Sequence, residues 1–565
     1  EADFRKALEA SGLARLHAQG YRGRGVRVVV VDSDFRGYAG LIGKKLPKQI
    51  RLVDFTAERS PDLQPHPFSG DPKRLGRGTQ CALAVAATAP EAESVLIRVD
   101  PAAPYQWLAI ARYIQGEAVR SDSLDARLQQ LADERERLRR RSEDLLEERR
   151  IALGNFGQDE ASKKRREEYF QRQAELDRDE EAYSARVTRF LRLRQDVLHL
   201  RGVRVVVCPL VWNEGHPANG AGTLSRYFDD EPFRAALWFQ ATGETRGQTW
   251  YGLFHDTDNN GVMEFAPPGT RLNSGRWTHE LNFLGWQAKP ERAGVSDSPV
   301  ADLPAKTRVR VSIQWREAHD PDVFREQQTS ANEQATPDPY REPIANLRLL
   351  ILRQRDPTGT QLPTDDMEVV ARSGALPERL LNAPNFAVYE QTLEFALDAP
   401  GRLALRVEGR QPQSTLPANR PALPGQEKAW ELRPRIFVQA LDEASRAAGR
   451  PVFLDYSPTA GGIAVPAEAH RVIAVGAADF SGKPQPANAS GPAAGMELLV
   501  KPDLLAYDSG GGTSIAASFA AGVAASALSG GLPSDHFFQQ LRLRRGDLLR
   551  IPDGWPGKDA SSKRR

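Results

Sequence analysis

The runs "VRVVVVD" (26–32), "SVLIRVD" (94–100), "GVRVVVCPLVW" (202–212), "AALWFQATG" (235–243) and "HRVIAVGAAD" (470–479) constrain the fold most. Each is short, rich in β-branched residues and almost continuously apolar. Strands of this kind leave no face for water and belong in a parallel sheet covered on both sides. The cover is written between them. "PYQWLAIARYIQ" (104–115) has helical spacing and a leading proline, and "GRGTQCALAVAATAPEA" (76–92) is a small-residue apolar helix. Strands alternating with helices predict an α/β, doubly wound parallel sheet.

Two stretches break the alternation. Residues 118–200 turn abruptly to Arg, Glu, Asp and Leu without proline. Leu124, Leu128, Leu131, Leu138 and Leu145 keep a heptad-like seam, with Arg135 and Ser142 in its remaining slots. Beyond "GNFGQD" (154–159), Tyr169, Leu176, Tyr183, Val187, Phe190 and Val197 repeat it. The spacing predicts an antiparallel coiled-coil hairpin with arms of about 27–40 residues, roughly 40–60 Å. Two readings stand open: a solvated spacer, or a docking arm for a protein partner or a second copy. The second break, 246–455, carries "RVRVSIQW" (308–315), "LRLLILRQ" (347–354), "QTLEFAL" (391–397) and "RLALRVEG" (402–409). These period-2 strands between turn-rich segments predict an antiparallel β-sandwich. The polar stretch 316–343 reads as a long flexible loop.

The expected organisation is therefore an α/β body in three pieces (1–117, 201–245, 456–552), with a hairpin at 118–200, a sandwich at 246–455 and a basic tail at 553–565. At 565 residues, more than one core is required. Basic and acidic residues number 76 and 74, so no global polyanion-binding footprint exists and no nucleic-acid partner is expected. No apolar run approaches the roughly 18 residues of a membrane span, and no signal peptide is visible. Glu1 in place of Met raises the expectation that a preceding segment was removed. Nine histidines without HExxH or a His/Cys cluster argue against zinc. Cys81 and Cys208 are too few for a disulfide framework and read as small core residues, with a contact between them still open.

"GGGTSIAASFAAGVAASAL" (510–528) carries the most chemistry. Its glycines permit a tight turn and close backbone approach. Ser514 then enters a helix of small residues, in the positive field of its N-terminus. A plain N-cap serine would look the same.

Taken with its surroundings, Ser514 acquires a context. "VVVVDSD" (28–34), "GRGTQCALAVAATAPEA" (76–92), "VVVCPLVW" (205–212), "ALWFQATGET" (236–245), "VPAEAHRVIAVGAAD" (465–479), "SGP" (490–492), "KPDLLAYD" (501–508) and "GTSIAAS" (512–518) resemble, in order, the motifs of the subtilisin-like serine peptidases. The resemblance implies a subtilisin-like doubly wound sheet, with the hairpin and the sandwich inserted at loop positions. It implies Asp32 at the triad aspartate, Ser514 at the nucleophile, and "CPLV" (208–211) in the strand lining the substrate cleft. It favours a secreted or envelope location. It also matches Cys81 to a position where relatives hold a free buried cysteine.

The departures cluster at the chemistry. The catalytic histidine position holds Arg77, which has no acceptor and stays protonated, so it cannot serve as general base. The oxyanion position aligns with Glu244, whose carboxylate would repel a developing oxyanion. Asp34 replaces a glycine, Ser518 replaces a proline, and Pro209 removes an N–H from the cleft strand. In subtilisin itself, loss of the serine or histidine costs roughly 10⁶ in rate, and loss of an oxyanion donor about 10²–10³. The expectation is a pseudopeptidase in which Asp32, Arg77, Ser514 and Glu244 are remnant positions. It would act in protein binding or scaffolding through its inserts. The alternative is an active endopeptidase with another base, His66 being the candidate. The acid-helix variant of the fold, the sedolisins, needs a glutamate that "RGTQCALAV" lacks. Arg77 is expected to pair with Asp32 and neutralise it. Apart from a possible calcium loop, no cofactor is expected. "DTDNNGVME" (256–264) spaces Asp256, Asp258 and Asn260 as a calcium loop does, but Pro267 stands where the bidentate glutamate belongs. Asn-Gly with aspartates is also ordinary turn chemistry, and the turn is the expected reading.

Overall fold

The computed structural model describes residues 2–60, 63–103, 106, 110, 122–154, 160–198, 202–220, 222–230, 236–271, 278–289, 300–318, 343, 345–355, 367–383, 386–410, 432–486, 488–494 and 496–555. The alternating α/β stretches build one eight-stranded sheet. Its spatial order is Arg51–Asp54, Glu93–Arg98, Arg27–Asp32, Val203–Cys208, Leu237–Ala241, Ile473–Ala478, Leu504–Tyr507 and Asp547–Leu548. Every adjacent pair is parallel.

Both faces of this sheet are covered, as the apolar runs demand. Val28 and Val30 face a core with Cys81, Val85 and the helix Thr513–Ser529. Val29 and Val31 face the other core, with Val206, Phe228 and Trp238. Helices Arg77–Thr88 and Thr513–Ser529 pack on each other through small residues. A Cβ on Gly522 would lie 1.7 Å from Thr88 Oγ1, so the contact tolerates nothing larger.

Between the strands Leu237–Ala241 and Ile473–Ala478 lie two antiparallel sheets. One runs Met367–Arg372, Arg348–Gln354, Leu403–Glu408, Asn282–Ala288, Gly449–Phe453, with Val300–Ala301 pairing beside Asn282–Ala288. The other runs Glu378–Ala383, Phe386–Ala396, Arg308–Ala318, Arg435–Ala440, Thr249–Tyr251. They share a core that includes Trp250, Leu284, Ile313, Trp315, Leu349 and Ile436. Residues 316–318, read as the start of a loop, continue the strand Arg308–Ala318. The rest of that polar stretch, 319–343, lies outside the described residues apart from Pro343, as do most of 104–115 and most of the hinge 154–159.

The heptad stretch forms two helices, Asp122–Gly154 and Glu160–Leu198. Leu138, Leu145, Ala152, Tyr169 and Leu176 form their seam. Leu128, expected in that seam, is 43% exposed. Near the sheet the pairing changes character: Leu131, Phe190 and Leu193 turn into the core under the parallel sheet. The helix pair therefore adds to a body core. Among the described residues no single helix is long and apolar enough to cross a membrane.

Candidate functional site

The site assembles at the carboxyl ends of the parallel strands, where open α/β sheets place their ligands. Asp32 ends its strand with 0% exposure. Its Oδ1 accepts the N–H groups of Ser33 and Asp34 at 2.6 and 3.1 Å. Arg77, the first residue of its helix, closes on the same carboxylate in a fork. Nε reaches Oδ2 at 3.0 Å and Nη2 reaches Oδ1 at 3.2 Å. Gly78 makes this approach possible, because a Cβ there would stand 2.7 Å from both Asp32 Cβ and a Phe35 ring carbon. Burial opposes the Arg77 charge, but the attraction and hydrogen bonds of Asp32 outweigh it and raise its pKa. The guanidinium is thus fixed as a cation. About 42% of its side chain still reaches solvent.

One turn along the Arg77 helix, Cys81 Sγ donates to the carbonyl of Ser514 at 3.6 Å. Ser518, at the proline position of the resemblance, donates its hydroxyl to the same carbonyl at 2.9 Å. Burial pushes the Cys81 thiol up to about 12 and Cys208 well above its ordinary value. Both are free, protonated core thiols. Ser514 lies inside the helix, after Thr513, so it is not the N-cap; that place belongs to Gly512. Its hydroxyl has no hydrogen-bond partner among the described residues and is not sealed from solvent.

Glu244 meets the start of the same helix. Its Oε1 accepts the Thr513 N–H at 2.5 Å and the Thr513 hydroxyl at 2.6 Å. The carboxylate sits on the positive end of the Ser514 helix. Gly512, at φ 69°, leaves room for it: a Cβ would lie 2.4 Å from Oε1. Arg450, from the antiparallel sheets, donates to the Glu244 carbonyl at 2.5 Å. Sequence reasoning missed Thr513 and Arg450. The threonine beside the serine was the available signal for the first; nothing local signals the second.

The strand Val203–Cys208 stops before Pro209. Beyond it the backbone is engaged within the chain. Gln240 Nε2 donates to the Leu210 carbonyl at 2.7 Å, and Trp212 exchanges both backbone bonds with Val465 at 2.9 Å. At Gly243, the side chains of Val211, Thr245 and Ala464 all stand 3.8 Å from the Cβ position. Asp34 binds Arg36 bidentately, through Nε at 3.0 Å and Nη2 at 2.7 Å. His66 is held through its backbone, by Thr56 Oγ1 and by Arg98. Its ring makes no hydrogen bond to Asp32 or Ser514.

In the 256–261 loop, Asp256 Oδ1 and Oδ2 accept the N–H groups of Asn260 and Gly261 at 3.0 and 3.1 Å. Asp258 Oδ1 accepts the same Asn260 N–H at 3.3 Å, and its Oδ2 accepts from Asn260 Nδ2 at 3.0 Å. Both carboxylates thus accept the N–H groups of a turn.

Arg77→Ala removes the counter-charge of a buried carboxylate but leaves its two N–H donors. We expect a loss of about 2 kcal/mol, below the value for a fully buried pair because Arg77 is partly solvated. Denaturant unfolding of Arg77→Ala, Asp32→Asn and the double variant checks this. The double variant should be less destabilised than the sum of the singles, and an additive result would contradict the pairing.

No protein-family model matches the chain, and no curated protein matches it. Among solved structures it is similar to the CspB protease of Clostridium perfringens, at 12% identity and TM-score 0.42, over 93% of this chain and 88% of that one.

Proposed function

We propose that this chain is a catalytically inactive relative of the subtilisin-like serine peptidases that works by binding or scaffolding. The observation that carries the reading is the double block around Ser514. Arg77 occupies the base position and is spent on Asp32, while Glu244 occupies the helix end that would receive an oxyanion. A serine hydroxyl without a base is a weak nucleophile, and a carboxylate beside the reacting carbonyl raises the barrier further. The engaged backbone at Leu210 and Trp212 supports the same reading, since an extended peptide would need such groups free. We read 118–200 and 246–455 as inserts into this scaffold and as its contact surfaces. For the 256–264 loop, the N–H bonds to Asp256 and Asp258 favour the turn over calcium.

The test is proteolysis of an unfolded protein substrate, read by mass spectrometry of new N-termini. The chain and its Ser514→Ala variant should give identical backgrounds. Cleavage that depends on Ser514 would establish the alternative, a peptidase with a non-standard base.

A further inference from the structure

The paired helices carry two unlike flanks. Three ion pairs, Glu134–Arg186, Arg141–Asp179 and Glu148–Arg172, join the helices on one of them. Each partner lies three positions after a seam residue such as Leu131, Leu138, Leu145, Tyr169 or Leu176. Residues one position after the seam point to the opposite flank. There stand Leu146, Phe170 and Leu191, exposed by 60, 58 and 54%. The antiparallel register of the ion pairs puts Phe170 within about a turn of Leu146, and Leu191 about 25 Å nearer the sheet. Between these anchors the surface is acidic. It bears Glu136, Glu143, Asp177, Glu180 and Glu181 against Arg135, Arg139 and Arg140; Arg139 binds Glu136 and Glu143 and Arg140 binds Glu136, while Asp177, Glu180 and Glu181 make no ion pair among the described residues.

Large apolar residues at such positions are unusual on a solvated hairpin, where charged residues normally stand. We propose that this flank docks a basic amphipathic helix of another protein, with apolar anchors about 25 Å apart and Lys or Arg between them. Apolar contacts at the two ends would supply affinity, and the carboxylates would select for cationic residues and set the register. A second copy would oppose two surfaces of the same net negative charge, so the charge pattern disfavours self-pairing. The surface lies apart from Ser514, and the inference does not depend on the state of that site.

The test uses the full chain and a fluorescein-labelled amphipathic peptide of about 24 residues built from Leu, Ala and Lys with leucines on one face. Anisotropy should show saturable binding. Leu146→Glu with Phe170→Glu, and separately Asp177→Lys with Glu181→Lys, should each weaken it at least about tenfold, the second pair also flattening its salt dependence. A matched peptide with Glu for Lys should bind at least about tenfold more weakly. All substituted side chains are exposed, and thermal unfolding of each variant verifies that it is folded. Four results would overturn the proposal: no binding of the Lys peptide, equal binding by the folded variants, equal binding of the Glu peptide, or a dimer in light scattering that Leu146→Glu disperses.

Discussion

The variant carrying both Arg77→His and Glu244→Asn should react with a fluorophosphonate serine probe at least about a hundredfold faster than the unaltered chain. The rest of the site is ready for this. Asp32 keeps its cradle of two N–H donors and would orient an imidazole as it now orients a guanidinium. Gly78 leaves space at the helix start, and the Ser514 hydroxyl is free of competing bonds. Asparagine at 244 would replace a repelling carboxylate with a donor. Each single substitution should recover far less than the pair, because base and oxyanion donor act as a unit. Ser514→Ala in the double-variant background must abolish labelling. Labelling of Arg77→His alone at the rate of the pair would show that Glu244 is no obstacle.

The second large effect concerns pH. Glu468 sits fully buried in the segment that bridges to Trp212. Ser225, on helix Thr223–Asp230, donates to one of its oxygens, and the other has no partner among the described residues. Burial raises its carboxyl to about 7 from an ordinary 4.5; Ser225, its own backbone, Arg435 and Lys501 oppose the shift only in part. The folded chain therefore holds this proton more tightly than the unfolded chain. The stabilisation is fully present below about 4.5 and is lost as pH rises through about 7, at a cost on the order of 3 kcal/mol. Glu390 and Asp508 are also raised by burial, so the whole-chain profile is composite. The difference between the chain and Glu468→Gln isolates this group. The glutamine variant should be the more stable at pH 8, and its advantage should vanish toward pH 5. Parallel stability profiles would contradict the assignment.

Much of the scaffold was legible because buried parallel strands advertise themselves. Val28 to Val31 leave no polar face, and the sheet duly buries both. Its edges were not legible: Arg51–Asp54 and Asp547–Leu548 are too short and mixed to show a pattern. The pairing of Arg77 with Asp32 followed from the neighbouring positions that the resemblance gives them and from charge, since a buried carboxylate that has lost its partner needs another. Glu244 was readable only as a hindrance. That it binds Thr513 depends on a strand end meeting a helix some 270 residues later, which no local pattern encodes. Leu128 misled for a related reason. The heptad continues through it, but near the sheet the helices answer to a different core, and Leu131 and Phe190 follow that core instead.

The central claim is that Ser514 is unactivated, and the most direct measurement is fluorophosphonate labelling of the unaltered chain beside its Ser514→Ala variant, both shown to be folded. Neither protein should be labelled above its denatured control. Labelling of the unaltered chain that disappears in Ser514→Ala would mean that a base reaches the serine despite Arg77, and the inactive reading would fall.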